Sequence, residues 1–239
     1  MKGFVMFSLV LIFICTNVKA QTTEKNISTR DAFEVSQTSG NSVMVFNSAY
    51  DGIKGTPYLN SSWSKGSLLM TSGVKYEDMA LKYDMMEDNV LVRTESGKTI
   101  FPNQGYVRSF NYLDSLGNEH WFYNLGISEE LRLADLKGFF ELLYQGKSNL
   151  YVKRGKHLKH IESKGGYSSN KSYDEFRDNQ LEYVLVNKES EVVGFEPGKK
   201  NVLTALDDEG VMAEYAKKNK LNLKKEKDII ALVTYFYSK

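Results

Sequence analysis

The chain has 239 residues, with 31 basic and 30 acidic side chains, three histidines and one cysteine. Near-neutrality leaves no global field to recruit nucleic acid or an anionic membrane. The one cysteine, Cys15, lies in a segment expected to be removed, so the mature chain is left without disulfides, thiolate nucleophiles or Cys-based metal sites.

Lys2 supplies a positive start, and Phe4 to Cys15 is an apolar run broken only by Ser8. That is the length of a signal-peptide core and well short of the roughly 20 apolar residues of a membrane span. Val18-Lys19-Ala20 then places small or modest residues where a signal peptidase reads, which predicts cleavage before Gln21 and a periplasmic or secreted protein. Residues 1–20 are thus read as signal. Cleavage removes Lys2 and Lys19 and no acids, leaving 29 basic against 30 acidic residues. No second apolar run approaches spanning length, so the mature chain is not expected to span a membrane.

Residues 21–42 are polar, with neither strand nor helix period, and are read as a flexible leader. An antiparallel β body is expected over 43–197, opening with the apolar run Val43-Met44-Val45-Phe46. Met79, Leu81, Tyr83 and Met85 alternate with Asp78, Ala80, Lys82 and Asp84, the pattern of a half-buried strand. A strand over Ser67 to Thr71 joins it through Ser72-Gly73, and Val90 to Val92 joins Thr99 to Phe101 through Glu95-Ser96-Gly97-Lys98. Tyr106 to Tyr112 and Glu119 to Tyr123 form another pair around Asp114-Ser115-Leu116-Gly117-Asn118.

Phe139 to Tyr144 reads as strand, Glu162 to Asp178 as a surface loop or linker, and Glu182 to Asn187 against Glu191 to Phe195 as a last hairpin. Over 198–239 the period becomes helical. Asp207 or Asp208 is positioned to cap one helix, and Ile229, Leu232, Val233, Phe236 and Tyr237 form the apolar stripe of another, docked on the body. The predicted class is α+β, mainly β: an antiparallel meander, as a curled sheet, sandwich or partly open barrel, with a C-terminal helical segment.

Gly55-Thr56-Pro57-Tyr58-Leu59-Asn60 leading to Trp63 and Gly66, then Leu81-Lys82-Tyr83-Asp84, and later Asn219-Lys220-Leu221-Asn222-Leu223, are similar to segments of a family of exported β-rich proteins of Bacteroidetes-type bacteria. The resemblance implies an envelope or secreted setting and supplies no catalytic residue.

No reaction motif stands out. Gly97-Lys98-Thr99 lacks the first glycine of a phosphate loop and is read as a hairpin turn. His157 and His160 would share a face on a helix, with Glu162 as a third ligand, but would point apart on a strand. The surrounding cations oppose a divalent ion, so neither a metal nor a cofactor is expected. From Lys147 to Gly165 the chain carries six Lys or Arg against Glu162 alone. Lys153, Arg154, Lys156, His157, Lys159 and His160 are therefore candidates for meeting an envelope component or a protein partner. Trp63 and Trp121, with Tyr106, Tyr112 and Tyr123, are candidates for stacking on a sugar or gripping a peptide. The expected function is a non-catalytic binding module. The alternative is a carbohydrate-directed hydrolase using Asp84, Glu87 and Asp88.

Overall fold

The computed structural model describes residues 50–127, 135–163, 171–206 and 210–238. Twelve strands follow in chain order: β1 Ser64–Met70, β2 Lys75–Asp84, β3 Asn89–Arg93, β4 Thr99–Ile100, β5 Val107–Leu113, β6 Glu119–Asn124, β7 Phe139–Tyr144, β8 Ser148–Lys153, β9 Lys156–Ser163, β10 Lys171–Asp178, β11 Glu182–Asn187 and β12 Val192–Phe195. The helices are α1 Lys199–Ala205, α2 Val211–Lys218 and α3 Glu226–Tyr237. Ten strands form one antiparallel sheet in the order β12-β11-β8-β7-β6-β5-β1-β2-β3-β4, and β9 with β10 makes a separate two-stranded ribbon.

The first half of the large sheet curls on itself. Met79, Leu81, Tyr83 and Met85 of the β2 stripe are all buried, as their alternation requires, and they meet Leu68, Phe110, Phe122 and Phe139 in one cluster. The Phe110 and Phe122 rings stack with centroids 4.8 Å apart, and Tyr83 lies 6.2 Å from Phe139. Since β2 and β7 are separated by three intervening strands, a flat sheet would hold these two strands about 19 Å apart. Strong curvature brings them together, and the Lys156 N–H donating to the Met85 carbonyl at 3.0 Å clamps the curl. The strand order nevertheless leaves the sheet open, with β4 and β12 at its edges.

The second half is flanked by helices on one face. Leu150 and Val152 of β8 and Tyr183 and Leu185 of β11 pack with Ile229, Leu232 and Val233 of the α3 stripe. The alternate residues Tyr151, Val184 and Val186 point the other way and join Phe140 and Leu125 in a smaller cluster. Phe236 and Tyr237 are half-buried at the edge of the helical core, Tyr237 stacking on Tyr144. Among the described residues, no helix is long and apolar enough to cross a membrane.

Two expectations are corrected. The segment read as loop over 162–178 holds strand β10, paired along its length with β9. Its alternation is hidden because, among the described side chains of β10, Phe176 alone is buried. Lys199–Ala205 forms a helix of its own, so the tail has three helices rather than two. The Val43 to Phe46 strand and the capping role of Asp207 or Asp208 lie outside the described residues.

Candidate functional site

The sheet face opposite α3 carries a cleft of about 320 Å³ where β5, β6, β7 and β8 run side by side. Tyr123 pairs with Phe140 in register, and Leu142 pairs with Tyr151, so Tyr123, Leu142 and Tyr151 share this face. Tyr123 and Tyr151 meet edge to face with centroids 6.1 Å apart, and Trp121 continues the strip by stacking against Tyr123 at 6.3 Å. Arg108, Ser109, Asn124, Gln145 and Asn149 form the polar part of the wall. The Asn149 amide donates to the Tyr151 hydroxyl at 3.2 Å and its carbonyl oxygen accepts from the Gly146 N–H at 3.3 Å, which fixes its orientation. Burial raises the pKa of both Tyr123 and Tyr151, holding each phenol in its neutral, hydrogen-bonding form. Aromatic faces beside amide, hydroxyl and guanidinium groups suit a ligand with both C–H surfaces and polar edges.

The cationic run divides in three dimensions. Lys153 donates to the Asp88 carboxylate and to the carbonyls of Lys137 and Phe139. Arg154 bridges the carboxylates of Glu141 and Glu226. Burial works against the Arg154 charge, but the two glutamates more than offset it, and its pKa is raised. Lys156 donates to the Thr56 carbonyl at 2.8 Å, with Asp178 3.7 Å away. These three cations are therefore parts of the interior framework. His157, Lys159 and His160 remain exposed on β9. As strand residues His157 and His160 face opposite ways, and they contact Asn179 and Asp174 respectively, so the helical spacing that would have joined them at one ion is absent. Among the described residues no group of three or more His, Cys, Asp or Glu is arranged to hold a metal.

The acidic group at the end of β2 is likewise committed internally. Asp84 is 1% exposed and accepts from the Met86 and Glu87 N–H groups and from the Tyr50 hydroxyl. Asp88 accepts from the Tyr83 hydroxyl at 2.5 Å, from Lys153 and from the Phe139 N–H. Glu87 is exposed. None of these three carboxylates lines the cleft. A second chain of charged groups runs from the partly exposed Asp114 and His120 to the buried Glu141, then to Arg154 and Glu226, with the Tyr112 ring stacked on His120 at 5.0 Å.

The two tryptophans have different neighbours. Trp63 lies beside Lys82, whose ammonium sits 5.3 Å from its ring and 4.7 Å from that of Tyr58. The segment from Gly55 to Asn60 docks along the end of β2 through the Leu59 N–H to the Tyr83 carbonyl and the Met85 N–H to the Pro57 carbonyl. A side chain at Gly66 would collide with the Asn111 carbonyl. The first two resembling segments thus form one packing unit. Trp121 alone of the pair joins the aromatic strip of the cleft, and Tyr106 is an exposed residue before β5. Tyr151, Asn149 and Gln145 were not singled out from the sequence, because strand pairing rather than spacing brings them to Tyr123.

Comparison with protein families, curated proteins and solved structures finds no match, so the site is read from its own residues.

Proposed function

We propose that the chain is an exported, non-catalytic binding module, released by cleavage before Gln21, that takes a saccharide component of the cell envelope in the cleft on the sheet face opposite α3. The observation that carries this reading is the juxtaposition of Tyr123 and Tyr151 with Arg108, Gln145 and Asn149 around about 320 Å³ of space. Tyrosine rings present apolar faces to sugar C–H groups, and the amides and guanidinium reach hydroxyls or carboxylates at the rim. The cleft lining, among the described residues, includes neither carboxylate nor imidazole, the groups that hydrolysis of a glycosidic bond would require. Mature chain from Gln21 is mixed with fractionated envelope polysaccharides, and binding is followed by tryptophan fluorescence with Trp121 as reporter. Saturable binding that Tyr123→Leu weakens about tenfold supports the reading; equal binding by this variant overturns it.

A further inference from the structure

A second cleft, of about 410 Å³, lies where the start of α1 meets the end of α2 and the loop that follows. Lys199, Lys217, Lys220 and Lys224 line it, over a floor that includes Leu221 and Leu223. All four lysines are exposed, and among the described residues none has a carboxylate within 4 Å. The described residues between 199 and 228 hold eight lysines against Glu214, Glu226 and Asp228, of which Glu226 is bonded to Arg154 and Asp228 accepts from the Asn222 N–H. Positive charge therefore stands in excess at this cleft.

The helix dipole accounts for part of the pattern only. Lys217 and Lys218 in the last turn of α2 are favoured by its carbonyl end. Lys199 and Lys224 arrive from other segments, and the end carbonyls of α2 are already occupied: those of Tyr215, Ala216 and Lys217 accept from the N–H groups of Asn219, Leu221 and Lys220. Lys220 has φ +53°, the left-handed position after a helix where glycine or asparagine is the ordinary residue. A long cationic side chain is thus kept at a backbone position that disfavours it.

The cleft is also held rigid before any ligand arrives. The Gly198 N–H donates to the Leu223 carbonyl at 2.8 Å, tying α1 to the loop. The Asn222 side chain accepts from the Lys224 N–H, and the Asn222 N–H donates to Asp228. Such preorganisation lowers the cost of holding several like charges around one guest. Lysine ammonium groups act as point charges suited to phosphate, whereas planar carboxylates are better matched by the arginine fork, and no arginine lines the cleft.

We infer that Lys199, Lys217, Lys220 and Lys224 form a binding site for a compact, multiply phosphorylated group, separate from the sheet-face cleft. The probe is inorganic pyrophosphate, titrated into the mature chain by calorimetry at low and at physiological salt. Saturable binding is expected, weaker at higher salt. Lys217→Glu combined with Lys220→Glu lowers affinity about tenfold or more, while Lys188→Glu, on the distant β11–β12 turn, and Tyr123→Leu leave it unchanged. Lys220→Gly separates binding from folding: it relaxes the left-handed backbone and raises the melting temperature while weakening pyrophosphate binding. Zwitterionic vesicles with and without a lipid bearing a diphosphorylated headgroup identify the source. Capture that pyrophosphate competes away assigns the group to a lipid, and binding of free pyrophosphate alone assigns it to a soluble ligand. Absence of saturable binding, or an equal loss in Lys188→Glu, overturns the inference.

Discussion

Two regions of this protein are rich in cations, and they put that charge to opposite uses. In the run from Lys153 to His160 the basic residues are adjacent in sequence, yet Lys153, Arg154 and Lys156 turn inward onto Asp88, Glu141, Glu226 and the Thr56 carbonyl. At the helical end, Lys199 and Lys217 to Lys224 come from separated segments and converge on one open cleft. Charge density along a chain is thus a poor guide to charge density in space. The deciding factor is whether strand pairing supplies carboxylates, as β7 supplies Glu141 opposite Val152, two residues before Arg154.

If the inner cations are framework, removing one leaves a buried charge without its partner. Arg154→Met is expected to cost about 3 kcal/mol in urea denaturation, because Glu141, 3% exposed, loses its guanidinium partner and keeps His120 alone, while Glu226 loses its bond to Arg154 as well. Adding Glu141→Gln recovers part of that loss by removing the buried negative charge that has lost its guanidinium. A loss below about 0.5 kcal/mol for the single change would return Arg154 to the surface and break the distinction. Asp88→Ala removes the acceptor of the Tyr83 hydroxyl and the Phe139 N–H and leaves Lys153 with carbonyl partners but no carboxylate, and about 2 kcal/mol of stability should go with it.

The open cations should behave in the reverse manner. Lys217→Glu with Lys220→Glu, and Lys159→Glu on β9, are expected to shift stability by no more than about 0.5 kcal/mol. Circular dichroism melts of these variants beside Arg154→Met rank the two regions directly. The smallest effect lies on the pH axis. Hydrogen bonds from the Asn118 side chain and backbone and from the Leu116 N–H lower the pKa of Asp114 from 3.8 to about 2. Its contribution is present above pH 3.8 and is lost as pH falls toward 2, because the unfolded chain takes up the proton first. The stability difference between the wild type and Asp114→Asn should therefore shrink across that window, and a difference that stays constant would contradict the assignment.

Much of the fold was legible because it follows from periodicity. The β2 stripe from Met79 to Met85 and the α3 stripe of Ile229, Leu232 and Val233 are buried as their spacings demand. Asp84 breaks the same pattern, a polar-position residue turned inward by the curl and satisfied by its own turn. Strand β10 was hidden because its stability comes from pairing with β9 rather than from burial, so Tyr173 and Phe176 carry no period-two signal. The candidate site was the least legible part. Trp121 and Tyr123 could be named as stacking residues from their place in the meander, but Tyr151 reaches them only because β7 lies between β6 and β8.

The measurement that bears most directly on the central claim compares three proteins, the mature wild type, Tyr123→Leu and Lys159→Glu, for capture of envelope polysaccharide under one buffer. The cleft account predicts capture by the wild type and by Lys159→Glu, and its loss in Tyr123→Leu with the circular dichroism spectrum intact. Capture that survives in Tyr123→Leu and vanishes in Lys159→Glu would place the contact on the β9–β10 ribbon and contradict the cleft.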